Sequence, residues 1–188
     1  MNTEASTTDK DFWNPWRIAR WTAALALLLT PLVAMQFSDE WNWTIGDFLF
    51  AGTAIGAVGL LYEFAERASA LKAYRLGAAV ALGTCFLTVW TTIVRDDGTG
   101  LPYLLLVLAA GMGAFAARMQ AAGMARAMLG LAAMQAFNGL AIATAPMTLD
   151  SAFGPTKVLV FNGFFAGLWL VAGAFFAAAS RSEKQAAS

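Results

Sequence analysis

The chain has no histidine and a single cysteine in 188 residues. Without an imidazole there is no bis-His haem ligation, no His-bearing zinc site, no Ser-His-Asp or Cys-His nucleophile and no histidine proton shuttle. The lone Cys85 excludes an intrachain disulfide, and its place inside an apolar run reads as a small buried side chain. Charge is scarce too: 13% of the residues are charged, and 12 basic against 12 acidic groups leave no formal net charge. That balance makes no case for nucleic acid as a partner, nor for a generally basic membrane-binding surface. Carboxylate, amide and hydroxyl chemistry is what remains, so no enzymatic activity, cofactor or metal site is expected.

Apolar surface is what the chain has in excess. Hydrophobic residues make up 59% of it, against roughly 45–50% in soluble domains. A water-soluble core cannot hide that much. At about 20 apolar residues per bilayer crossing, there is room for roughly six spans and no separate soluble domain. The sequence therefore predicts an all-α polytopic membrane protein of six transmembrane helices, with the lipid bilayer as its surroundings. Residues 1–15 read as a disordered cytoplasmic tail, 16–180 as the transmembrane domain and 181–188 as a second cytoplasmic tail.

The apolar runs fall at about 21–36, 44–64, 71–94, 101–118, 126–145 and 157–180. Pro31 marks a kink in the first, and Pro102 opens the fourth, where the first helical turn tolerates proline. Thr84, Thr88, Thr91 and Thr92 gather near one face of the third run, where a threonine hydroxyl usually bonds its own helix. The spacings Gly52-Thr-Ala-Ile-Gly56 and Gly163-Phe-Phe-Ala-Gly167 would let helix backbones approach. Each is expected to face another helix, in this chain, in a membrane-protein partner or in a homo-oligomer. Arg20, Arg75 and Arg126 introduce similar apolar octets, which suggests three tandem helical hairpins; arginine at each inner end is also what topology alone requires. Both explanations stand.

Basic residues decide an orientation. Lys10, Arg17, Arg20, Arg67, Lys72, Arg75, Arg118, Arg126, Arg181 and Lys184 fall on the side of the two tails, ten of the 12, against Arg95 and Lys157 opposite. The positive-inside rule puts both termini in the cytoplasm. The loop acids Asp96 and Asp97 form a tempting metal clamp, yet two acids in one short turn are ordinary loop chemistry.

The stretch from Met35 to Phe48 is the one place where acids, amides and aromatics crowd between two apolar runs. Trp41 and Trp43 suit headgroup depth, Asp39 and Glu40 suit water, and Asp47 is drawn just inside the next span. At about 1.5 Å per residue, Asp47 lies about 6 Å inside Trp43, Asn162 about 7.5 Å inside Lys157, and Asn138 about 18 Å from Arg126. Gln135 sits one turn before Asn138, nearer the midplane. An unpaired amide or carboxylate at such depth costs a few kcal/mol, so Asp47, Gln135, Asn138 and Asn162 form a candidate intramembrane polar cluster. Its structural reading is interhelical glue with Asp47 as a first-turn acid; its functional reading is an outward-facing site for a cation or small solute. The first is preferred, because an ion path needs ionisable groups at the midplane.

The run Met35-Gln-Phe, then Glu40-Trp-Asn-Trp-Thr, Asp47-Phe48 and Tyr62-Glu63 resembles a pattern in small, uncharacterised proteobacterial inner-membrane proteins. It covers about thirty residues of the first hairpin. The resemblance implies a bacterial inner membrane and a multi-span topology, and brings no activity or catalytic residue with it. The expectation is a small, non-enzymatic structural or accessory membrane component, with transport of a small solute or cation through Asp47, Asn138 and Asn162 as the alternative.

Overall fold

The computed structural model describes residues 15–38, 42–95, 100–149 and 154–187, and every regular element among them is a helix. In chain order these are α1 Pro15–Ala34, α2 Ile45–Ala68, α3 Lys72–Arg95, α4 Gly100–Ala116, α5 Ala121–Ala143, the single turn α6 Pro146–Leu149, and α7 Gly154–Ala187. The expected N-terminal tail up to Asn14, the acids Asp39, Glu40, Asp96, Asp97 and Asp150, and Trp41 lie outside the described residues. Four helices, α1, α2, α3 and α7, are long and apolar enough to cross a membrane, and α4 is a shorter apolar helix. Arg126, Gln135 and Asn138 interrupt the apolar run of α5, which spans 23 residues. The last helix does not stop at residue 180 but continues through the charged Arg181, Glu183 and Lys184.

Local chemistry sets most of the boundaries. Four of the five prolines, Pro15, Pro102, Pro146 and Pro155, stand in a first helical turn, where a missing N–H costs no intrahelical bond. Pro31 is the exception, buried inside α1. At the end of α2 the Arg75 guanidinium donates from Nε to the Ser69 carbonyl at 3.0 Å and from Nη2 to the Glu66 carbonyl at 3.2 Å. A cation thereby satisfies oxygens that the helix leaves open. The α4–α5 link turns through Arg118 and Met119, both left-handed at φ 50° and 58°. Met119 N–H reaches back to the Ala114 carbonyl and Arg118 N–H to Phe115, the bond pattern of a Schellman end. Glycine usually takes that turn. Here the buried Tyr74 hydroxyl donates to the Met119 carbonyl at 2.7 Å and holds it from α3.

The chain divides into two compact units, Met1–Leu60 and Leu61–Ser188. In the first, a side chain at Gly59 would come within 2.9 Å of the Trp21 ring and one at Gly52 within 3.5 Å of Leu28. Those pairs run in opposite order along the chain, so α1 and α2 are antiparallel. In the second unit, α7 packs most extensively on α5 and next on α3, while α4 closes against α5 and α3. The buried positions of α7 are Val158, Asn162, Phe165, Trp169, Ala172, Phe176 and Ala179. They alternate intervals of four and three, the spacing of a helix that keeps one narrow seam against its partners. Tyr74 packs edge-on against Phe176 of that seam, with ring centroids 5.1 Å apart.

Glycine does the close packing at positions other than those expected from spacing. Gly52 makes an ordinary contact, and nothing lies within 4 Å of where a side chain would stand at Gly56, Gly163 or Gly167. Tight approaches in the second unit include instead Gly77, where an added Cβ would stand 3.2 Å from both the Ala172 carbonyl and the Phe176 ring, and Gly173, where it would stand 3.3 Å from Met128 Cβ. Gly77→Leu is therefore expected to lower the melting temperature in detergent, with an overpacking cost of about 1–3 kcal/mol. Gly163→Leu should leave it unchanged, and equal melting of the two variants would contradict the packing described.

Candidate functional site

Polar side chains buried in the second unit have few ways to be satisfied. Thr84 and Thr88 take the local one, donating to the Val80 and Thr84 carbonyls at 2.7 Å each, and Thr91 bonds Leu87 in the same manner. These hydroxyls bind nothing beyond their own helix. The amides are different, because a side chain with both donors and acceptors needs partners from more than one direction.

Asn162, about two turns into α7 and 1% exposed, is the hub. Its Nδ2 donates to the Val158 carbonyl at 2.9 Å and to the Tyr103 hydroxyl of α4 at 3.1 Å. A carbonyl can only accept, so the nitrogen end of Asn162 is assigned by chemistry and Oδ1 must be the acceptor. Gln135 of α5 meets it, donating from Nε2 at 2.8 Å. The direction of the second amide then follows from the first, and Gln135 Oε1 is left buried with no hydrogen-bond partner among the described residues. Three helices are joined through neutral groups only. Gly139 makes the approach possible: a Cβ there would sit 2.5 Å from Asn162 Cβ and 2.9 Å from its Cγ.

The sequence-predicted residues differ in their partners. Gln135 and Asn162 come together as expected, with Tyr103 as a third member that sequence reasoning missed. A tyrosine three residues into an apolar run looks like an interfacial aromatic, and only its helix-mates reveal that it points inward. Asn138 Nδ2 is buried with no hydrogen-bond partner among the described residues, outside this network. Asp47 is exposed, and its carboxylate works at the start of its own helix. Oδ2 accepts from the Thr44 N–H at 2.7 Å and from the Thr44 hydroxyl at 2.8 Å, while the Asp47 N–H donates back to that hydroxyl at 3.3 Å. This is a reciprocal capping box built on Thr44-Ile-Gly-Asp47.

The amide network can hold helices and can exchange hydrogen bonds with a neutral group. It offers no charge to compensate an ion and no activated nucleophile. Among the described residues no three His, Cys, Asp or Glu side chains gather as metal ligands. Comparison with family models, curated proteins and solved structures found no match.

If Asp47 acts as a cap, Asp47→Asn keeps an acceptor oxygen and should be close to neutral in thermal unfolding. Asp47→Leu loses the box and should cost about 0.5–2 kcal/mol, the range of a lost helix cap. Equal stability of wild type and Asp47→Leu would remove that role.

Proposed function

We propose that this chain is a small polytopic protein of a bacterial inner membrane, crossing it six times with both termini in the cytoplasm, and that it acts as a non-enzymatic structural or accessory component. The observation that carries the reading is how the buried polar groups are used. Gln135, Asn162 and Tyr103 hydrogen-bond across three helices, and Asp47 caps a fourth. Polar side chains committed to one another are the glue of helices that meet in lipid, where apolar faces gain little from association.

Further support comes from the outer surface. Phe115 is 86% exposed and Phe137 72%, an arrangement that suits acyl chains and would be costly in water. The four long apolar helices give four crossings, and α4 and α5 supply two more once Gln135 is turned inward. With 34 residues, α7 is about 51 Å long at about 1.5 Å per residue. That exceeds a hydrocarbon core of about 30 Å, which leaves room for its charged end from Arg181 onward to stand outside the apolar layer, on the side this reading makes cytoplasmic. The open stripe at Gly163 and Gly167 leaves a face for a second copy or a membrane partner. Transport through Asp47, Asn138 and Asn162 has less support, because the Asp47 Oδ2 is already engaged by Thr44.

Reporter fusions after Ser188 and within residues 96–100 test the topology. The terminal fusion should report cytoplasmic and the loop fusion periplasmic. The reverse pair, or two fusions on the same side, would overturn the six-span, inside-in arrangement.

A further inference from the structure

Two buried polar atoms of the α5–α7 seam are left over once the amide directions are assigned. Gln135 Oε1 is an acceptor and Trp169 Nε1–H a donor; both residues are fully buried, and neither atom has a hydrogen-bond partner among the described residues. Their placement along the seam brings them together. Gly139 lies against Asn162, and Gly173 against Met128, so α5 and α7 run antiparallel in a fixed register. Gln135 is four residues from Gly139 and Trp169 seven from Asn162, steps that lead in the same direction along the pair, by about 6 Å and about 10.5 Å. A helical side chain leans toward the start of its own helix, so the indole of Trp169 tilts back toward the level of Gln135. Trp169 also stands two turns from Asn162 on the same heptad face, the face that Gln135 meets.

A donor and an acceptor, each buried and each unmatched, thus fall within one helical turn on facing helices. No described hydrogen bond joins them directly. The group that would satisfy both must accept from an indole N–H and donate to an amide oxygen. It must also be neutral, because Asn162, Gln135, Trp169 and Tyr103 supply no formal charge. It must be small, since Gln135 and Trp169 are both fully buried. We propose that α5 and α7 hold a single bound water molecule between Trp169 Nε1 and Gln135 Oε1, extending the Tyr103–Asn162–Gln135 chain down the seam. Buried waters occupy polar sites of this kind, bridging groups that would otherwise be unpaired.

The test uses the full-length protein in lipid nanodiscs with ¹⁵N-labelled tryptophan, the Trp169 indole resonance being assigned by its loss in Trp169→Phe. The expected result is a through-space cross-peak between the Trp169 indole proton and water, with the rotating-frame sign that separates it from chemical exchange. Gln135→Met removes the second anchor, so that cross-peak should be lost and the indole resonance should shift. Absence of the cross-peak in the wild type overturns the proposal, as does its persistence, unshifted, in a folded Gln135→Met. If Gln135→Met fails to fold, the wild-type measurement decides alone.

Discussion

An amide shut away among apolar side chains must find a partner or cost a few kcal/mol, and that requirement fixes how α5 and α7 meet. Gln135 donates to Asn162 Oδ1 at 2.8 Å, a contact that ties the rotation and height of one helix to the other. Gly139, opposite Asn162, removes the side chain that would hold the backbones apart. Once that register is set, the remaining seam of α7 follows from its four-and-three spacing, down to Trp169, Ala172 and Phe176. Gly77 then lets α3 settle on the same helix, and Tyr74 carries the contact on to the left-handed turn at Met119.

Much of this was legible in the sequence, and the illegible parts have physical causes. The apolar runs predicted helices close to those observed, and the back-bonded threonines of α3 follow from threonine's own chemistry. Gln135 and Asn162 were readable as partners because polar residues in apolar runs are few. The seam itself was not. In α7 the small Ala172 and Ala179 are buried while Leu170 is 50% and Val171 46% exposed, so hydropathy carries no contrast between the inner and outer faces. A helix apolar all round hides its orientation from periodicity. Glycine spacing carries no more contrast: Gly163 and Gly167 fit a close-packing motif yet have nothing within 4 Å of where a side chain would stand, whereas Gly77 and Gly139 pack closely against α7. For Asp47 the sequence also carries a local partner that a depth argument passes over: Thr44, three residues earlier, spells a capping box.

The same lack of contrast bears on function. A fold whose exterior is as apolar as its interior gains specificity from the few polar bonds it contains, because van der Waals contact alone is available in many registers. The Tyr103–Asn162–Gln135 chain supplies that specificity in the second unit, and the Thr44–Asp47 box fixes where α2 begins in the first. Neutral groups suit this task, since burying a formal charge costs far more than burying an amide. The accessory or structural role proposed above asks for such a scaffold.

If the Gln135–Asn162 bond locks α5 to α7, a double-mutant cycle reads the strength of that lock. Unfolding free energies of Gln135→Met, Asn162→Leu and the double variant, obtained by steric trapping in a lipid bilayer, give the coupling between the two side chains. A coupling of about 0.6–2 kcal/mol is expected, the span of interhelical hydrogen bonds in membranes. Additivity of the two single effects to within about 0.3 kcal/mol would contradict the account and leave the register of the two helices to apolar packing alone.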